Sequence, residues 1–474
     1  MRSIMKCTKI DTNIQRSINK IIKKTPKIEV ILHAIHEHEG NAFLVGGAVR
    51  DLFLNLTMKD LDIEVHGLTI DELQKILQKV GPVSLVGKVY GVLRVHGLDI
   101  DWSLPRTDTA GRKPDVVVDP YMDIVQALKR RDLTMNAMAI NLHTFELIDP
   151  FNGLCDIEKK QLCTPDEDFF VEDPLRFYRV MQFIGRFDMY PCKALNALCA
   201  HMNLSGVSKE RISDEFEKLF LRSKYPSKGF RWLKDIGRLR EVLPELAALV
   251  GTAQNPKWHP EGDVFEHTMQ AVDAAAQFEY PNNKQKLIML FAALCHDLGK
   301  AVVTKTVDGT IKSIGHEQAG VPLAKELLKR MSIKKDIIAP VCTLVRYHMQ
   351  VLMFVTDNAG PAAYKRLARK LEPNVTIAQL AQLALADRQA RNGDSNMPLT
   401  DIDEDVKVFL KNAYKSMVAH KAEPALLSGA DIIDIVPPGP EMGRVLKEAY
   451  EMQIAENITD KNELKRRVAA KYKK

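Results

Sequence analysis

The stretch that decides the fold runs from residue 42 to residue 67, AFLVGGAVRDLFLNLTMKDLDIEVHG. Ala42 to Val45 form a short apolar run that stops at Gly46-Gly47, the pattern of a strand entering a tight turn. Residues 48–56 then carry apolar side chains at helical spacing. Residues 60–65 alternate strictly, with Leu61, Ile63 and Val65 on one face and Asp60, Asp62 and Glu64 on the other, which predicts a half-buried strand. Two aspartates one residue apart on a strand bring both carboxylates to one side, where hard oxygen ligands hold Mg²⁺. Two such ions can activate a hydroxyl nucleophile and stabilise a leaving pyrophosphate. The Gly46-Gly47 turn offers backbone that a phosphate can approach and free N–H groups at a helix start, with Arg50 one turn further on.

Outward from this stretch, residues 91–104 (GVLRVHGLDIDWSL) and 137–150 (AMAINLHTFELIDP) also read as strands, and Asp99 and Asp101 share one face of the first. From about residue 165 the spacing becomes helical, as in residues 173–187, 209–221, 265–278 and 284–300. The predicted fold is an α+β head, a small mixed sheet with helices, followed by an all-α body.

Bulk properties bound the function. A chain of 474 residues holds two to four domains, and 46% apolar with 27% charged residues builds cores and excludes wholesale disorder. No uninterrupted apolar run approaches the roughly 18 residues of a membrane helix, and the basic N-terminus lacks the apolar core of a secretion signal. A cytoplasmic protein with no membrane partner is expected. Seven cysteines without a C-x-x-C pair predict neither disulfides nor a cysteine zinc site. The net charge of +6 gathers in residues 1–30 and 461–474, which suits a polyanionic partner and equally a pair of solvated termini.

The back half carries HPEGDVFEHT (259–268), LCHDLGK (294–300), GHEQAG (315–320), RYHM (346–349) and ADRQARNG (386–393). Imidazoles and carboxylates suit first-row divalent metals, and His296-Asp297 on an apolar helix is a costly pair to bury without a use. Any one of these histidines alone reads as a hydrogen-bonded core residue. Five positions in this order read as a metal site.

GGAVRD followed by KDLD resembles the head of the class II tRNA nucleotidyltransferase and bacterial poly(A) polymerase superfamily. LKRRDLTMNAMAIN (128–141) resembles its arginine-arginine-aspartate motif, which implies that Arg131 binds the nucleotide and Asn136 orders the site. IDPFNGLCDIEKKQL (148–162) resembles the hinge motif, through Asp149, Gly153 and Asp156. EDPLRFYR (172–179) resembles the base-reading motif: Asp173 and Arg176, a turn apart on one helix, would face the Watson–Crick edge of CTP or ATP, with Arg179 on phosphate or sugar. The family spacing to Arg106 favours Asp101 as the third catalytic carboxylate beside Asp60 and Asp62. Residues 106–117 would form the loop used when addition passes from C to A. Gly46, Gly47 and Arg50 complete the implied nucleotide site. Gln182, Ala127 and Cys163 depart from the family pattern, at positions where arginine, an acidic residue and arginine are common.

The five back-half segments resemble the HD phosphohydrolase superfamily. That implies His267, His296, Asp297 and Asp387 as ligands of a divalent metal, His316 and His348 at a second metal position, and hydrolysis of a phosphomonoester or cyclic phosphate. Residues 424–453 resemble the segment behind the HD domain in multifunctional members.

The resemblances together imply a basic N-terminal extension (1–40), a nucleotidyltransferase head (41–165), a helical neck and body (166–255), an HD domain (256–400) and a helical tail (401–474). The implied activity is Mg²⁺-dependent addition of CCA from CTP and ATP to the acceptor end of tRNA. An enzyme restricted to ATP, or an HD phosphohydrolase with a non-catalytic RNA-binding head, are the alternatives.

Overall fold

The computed structural model describes residues 7–58, 61–86, 92–108 and 116–472. They divide into two compact units, Met1–Leu219 with Asp235–Gly237, and Phe220–Lys234 with Arg238–Lys474. The expected architecture, a mixed sheet with helices followed by a helical body, is the one found.

The sheet of the first unit is built from β1 (Cys7–Lys9), β2 (Asn41–Val45), β3 (Leu61–His66), β4 (Val83–Val86), β5 (Val92–Val95), β6 (Ile100–Ser103), β9 (Ala139–Asn141) and β10 (Glu146–Ile148); β7 (Arg106–Asp108) and β8 (Val116–Val118) pair separately. The order is β1-β10-β9-β2-β3-β6-β5-β4, and among these pairs β3 and β6 alone run parallel. Strand β2 sits in the middle because Ala42 to Val45 are all buried. Phe43, Val45, Leu128, Ala137, Ala139 and Ile148 form the core beneath it.

Three expectations change here. From Cys7 onward the expected N-terminal extension is built onto the head: β1 pairs with β10, and the helix Pro26–Glu37 buries Ile28, Ile31 and Ile35. That i, i+3, i+7 stripe is a core-facing helix side, masked in the sequence by the lysines around it. Glu64, expected on a wet face, is buried. Asp173 is not helical: it lies extended (φ −115°, ψ 101°) between the helices Glu167–Glu172 and Leu175–Phe187, because the residue before Pro174 is disfavoured in the α region.

In the second unit the helices Val264–Ala276, Asn283–Cys295, Lys335–Tyr347 and Ile377–Gln389 pack on one another, and His316–Arg330 lies along Lys335–Tyr347. Phe265, Leu290, Phe291, Leu344 and Leu380 are fully buried. Within the first of these helices every residue but Glu266 is buried. Among the described residues one helical run, Lys335–Thr356, is long and apolar enough to cross a membrane. Here it is a core element, with Val341, Leu344 and Val345 buried and His348 turned toward other imidazoles. Residues 427–468 close around a small core of their own, including Ile432, Val445 and Leu464.

Candidate functional sites

The head site is set by strand register. Asp62 and Asp101 are direct partners across the parallel pair β3–β6, so their side chains leave the same face of the sheet on strands roughly 4.8 Å apart. Asp101 is held by Arg94 from β5, at 2.8 Å from Nε and 2.6 Å from Nη2. Asp99 is exposed and precedes the strand. Asp60 lies outside the described residues, as do residues 109–115 of the loop after Arg106.

Gly46 ends β2 with φ +67°, a conformation that favours glycine, and a Cβ there would stand 2.5 Å from Arg131 Nη1. Gly47 begins the helix Gly47–Phe53. Arg131 therefore lies over the glycine turn, and Glu64 anchors it there at 3.5 Å while also meeting His66 Nε2 at 3.0 Å. Burial works to raise the Glu64 pKa, but the His66 hydrogen bond and the Arg131 charge outweigh it and hold the carboxyl below its ordinary value. The buried strand face thus positions the arginine that the sequence expectation placed on the nucleotide.

Arg50 does not reach out as expected. Its guanidinium is buried, donating to Asn136 Oδ1 at 2.7 Å and to Asp51 Oδ1 at 2.8 and 2.6 Å, and it lies 4.7 Å from the centre of the Phe187 ring. An arginine this deeply placed needs a carboxylate partner and a flat apolar surface, and both are within its own neighbourhood. Asn136 passes the connection on to Asp132 at 2.9 Å, and Asp132 accepts from Arg179 Nε at 2.7 Å. Against its burial, the Arg179 charge and the Asn136 hydrogen bond lower the Asp132 pKa. A chain Arg50–Asn136–Asp132–Arg179 so ties the glycine turn to the helix Leu175–Phe187.

The hinge motif is a set of caps and close approaches. Asp149 accepts from the N–H groups of Gly153 and Leu154 at 2.7 and 3.0 Å, and Asp156 accepts from Thr134 at 2.6 Å. A Cβ on Gly153 would fall 2.3 Å from the Thr134 carbonyl oxygen. The residues expected to read the base are also held: Asp173 accepts from Leu175 N–H at 3.1 Å and from Arg211 at 2.9 Å, and Arg176 donates to the Arg130 carbonyl at 2.9 Å and to that of Phe169. Gln182 is buried, and among the described residues its Nε2 meets no hydrogen-bond partner.

In the second unit all six expected ligands converge. His267, His296 and Asp387 offer ligand atoms within 4.8 Å of one another, and so do Asp297, His316 and His348. Asp297 joins the two sets. Its Oδ2 lies 3.3 Å from His296 Nε2 and 3.7 Å from His267 Nε2, and its Oδ1 lies 3.3 Å from His316 Nε2.

The tautomers are fixed from behind. His296, His316 and His348 each bond a backbone carbonyl three residues earlier through Nδ1, at 2.8, 2.8 and 2.7 Å, and His267 Nδ1 bonds Glu261 at 2.6 Å. Nε2 of His296, His316 and His348 therefore turns inward as an acceptor, that of His267 faces Asp387 Oδ1 at 3.0 Å, and pairs of these nitrogens approach to 3.3 Å (His267, His296) and 3.1 Å (His316, His348). Such lone pairs repel unless a cation lies between them. Asp297 Oδ2 is buried beside them, met from behind by the Lys300 ammonium at 2.7 Å. The donor set fits divalent metal at both positions.

Burial and neighbouring charge separate the histidines. Burial opposes charge on His267, yet hydrogen bonds with Asp387 and Glu261 raise its pKa to about 9. His348, buried and facing His316 and His296, is pushed down to about 3. Asp297 and Asp387 stay well below the usual carboxylate range, as the charges of Lys300 and Arg391 outweigh burial.

Sequence reasoning assigned no role to Glu261, His259 or Asp132. Glu261 accepts from both His259 and His267, and Lys300 sits 2.7 Å from Asp297 Oδ2 and 2.8 Å from Gln254. Lys300 follows Asp297 by three positions across a turn, at the end of the HDLGK segment that marks the site in the sequence. Glu261 lies on a loop, where spacing carries no such signal.

Residues 42–163 match the family described as the poly A polymerase head domain, residues 193–249 the probable RNA and SrmB- binding site of polymerase A, and residues 264–388 the HD domain. The multifunctional CCA protein of Pasteurella multocida (strain Pm70) is 31% identical over 400 residues, covering 82% of this chain and 91% of that protein. The chain belongs to the multifunctional CCA protein family. Two solved structures share the fold. One, a CCA-adding enzyme with CTP, has a TM-score of 0.64 at 18% identity over 99% of both chains. The other, the Thermotoga maritima CCA-adding enzyme complexed with tRNA, has a TM-score of 0.57 at 18% identity over 98% of this chain and 96% of that one. Membership in this family brings two domain types that generally use divalent metals, and the Asp62–Asp101 pair and the histidine–aspartate cluster both lie within the matched segments.

Proposed function

We propose that the protein adds CCA to the 3′ end of tRNA from CTP and ATP without a nucleic-acid template, and that its HD domain is a metal-dependent phosphohydrolase. The observation that carries the first reading is the register of Asp62 with Asp101 beside the Gly46 turn, with Arg131 above that turn. Asp62 and Asp101, together with Asp60, would hold Mg²⁺, which when bound polarises the attacking 3′ hydroxyl and neutralises the leaving pyrophosphate. The backbone at Gly46 and Gly47 leaves room for the triphosphate. Arg131 and Arg179 supply charge along it, and Arg50 keeps the turn in place through Asn136. Asp173 and Arg176, immobilised by Arg211 and by backbone carbonyls, would present fixed edges to the incoming base.

In the second site His267, His296, Asp297 and Asp387 would hold one divalent ion, and His316 and His348 with Asp297 a second. The reaction proposed there is attack of water on phosphorus of a phosphomonoester or 2′,3′-cyclic phosphate. Residues 41–165, with the N-terminal strand and helices built onto them, then act as the head, 166–255 as neck and body, 256–400 as hydrolase and 401–474 as tail. A cytoplasmic location accords with tRNA as substrate.

The test offers tRNAs ending before CCA, after C and after CC to the protein with CTP alone, ATP alone and both. Restoration of the full CCA end from both nucleotides is expected. Extension by A alone would replace this reading with an ATP-restricted enzyme, the outcome to which Gln182 on the base-side helix is relevant. No extension of any acceptor would remove the polymerase reading.

A further inference from the structure

The cavity over the second metal cluster has a volume of about 840 Å³, far more than a phosphate group needs and well matched to a nucleotide-sized ligand. Its floor is polar: Asp297, Lys300, His316 and Asp387. Its rim is not. Trp258 is 56% exposed, Ile314 83% and Met353 48%, three large apolar side chains on the wall of a charged catalytic cavity. Apolar surface left open beside such a centre calls for a ligand with an apolar part.

Trp258 is also held in place. Asn255 caps the turn that carries it, accepting from Lys257 N–H through its side chain and from the N–H groups of Trp258 and His259 through its carbonyl, each at 3.0 Å. The next residue, His259, bonds Glu261, the carboxylate that orients His267. The indole is therefore fixed to the same loop that sets a metal ligand. The Lys257 ammonium stands 5.1 Å from the ring centre, and Arg388 and Arg391 line the same cavity and add positive charge for a phosphate-bearing ligand.

We propose that Trp258 is the base-stacking platform of the HD site. The inference rests on the hydrolase reading above and names the residue that recognises the base of its substrate. Stacking of a base on an aromatic side chain is worth roughly 1–3 kcal/mol, or about 5- to 150-fold in binding. Both a free nucleotide and an RNA 3′ end present this chemistry.

The metal-loaded, full-length protein is tested with adenosine 2′,3′-cyclic phosphate, with an RNA oligonucleotide ending in the same cyclic phosphate, and with glycerol 1,2-cyclic phosphate, which has the cyclic ester and no base. Trp258→Ala is expected to raise KM about tenfold or more for a base-bearing substrate while leaving the glycerol ester unchanged, and Trp258→Phe to restore most of the loss. Such a loss on either base-bearing substrate supports the proposal, and the larger wild-type kcat/KM identifies which source the site uses. An equal loss on all three substrates overturns it. A binding readout separates this from the activity itself, because Trp102 and Trp232 are buried and Trp258 is not. Adenosine 2′,3′-cyclic phosphate should quench wild-type tryptophan fluorescence more than that of Trp258→Ala. Equal quenching in both overturns the proposal even if no substrate is turned over, whereas unequal quenching without turnover sinks only the hydrolase reading.

Discussion

His316 and His348 face each other Nε2 to Nε2 at 3.1 Å, and each ring has already given its other nitrogen to a backbone carbonyl. Their approach is comfortable only around a cation. Removing divalent metal with EDTA should therefore lower the unfolding temperature by roughly 5–10 °C, the effect of losing a ligand present at a hundred times its dissociation constant from a unit of this size. Calorimetry with and without added metal decides it. An unchanged midpoint would mean that the cluster holds no ion.

The two centres lie in different compact units and share no residue. Asp62→Ala should lower nucleotide addition by about a thousandfold or more, as removal of a metal-ion carboxylate costs several kcal/mol of transition-state stabilisation, while hydrolysis is unaffected. Asp297→Ala should do the reverse. A folded single variant lacking both activities would contradict this separation.

Gly46→Ala combines left-handed backbone strain of about 1–2 kcal/mol with displacement of Arg131, whose Nη1 lies 2.5 Å from the new Cβ position. Gly97 shares the positive φ, at +80°, but has nothing within 4 Å of its Cβ position. Both substitutions should lower stability to a similar degree, and Gly46→Ala alone should weaken nucleotide binding by about tenfold or more. Isothermal titration with ATP and CTP distinguishes them, and equal affinities in the two variants would deny Arg131 its place over the turn.

Asp273, buried beneath Ser227 at 3.0 and 2.5 Å, has its pKa raised by burial to about 7. A carboxyl that titrates higher in the folded state than in the unfolded chain favours folding at low pH, and this contribution fades as pH rises from about 4 through about 7. Asp273→Asn cannot ionise. Its melting temperature relative to wild type should therefore rise between pH 5 and pH 8, and a difference that stays flat across this window would place the carboxyl at an ordinary pKa.

Much of the fold and of both sites was legible because local pattern and tertiary outcome coincide. Strict alternation around Asp62 and around Asp101 marks strands, and register then brings the two carboxylates to one face. The order of His267, His296, Asp297, His316, His348 and Asp387 survives into space because each sits on a helix or at its end and packs on its neighbours. What the sequence hid depends on contacts between distant segments. Arg50 looks like a phosphate ligand until Asn136 and Phe187 enclose it. Asp173 and Arg176 look like one helix face, although Pro174 forbids it. Glu64 follows the alternation of an exposed face and is nonetheless covered, because Arg131 and His66 meet it there.

The pairing of β1 with β10 has a consequence for how the chain is made. Cys7–Lys9 finds its partner only at Glu146–Ile148, so this strand must wait during synthesis for a strand well over a hundred residues further along the chain. At roughly 5–20 residues per second the delay is on the order of ten seconds, long compared with the microseconds in which a hairpin closes. Through that interval the N–H and C=O groups of β1 lack their partner strand and stay open to pairing with other chains.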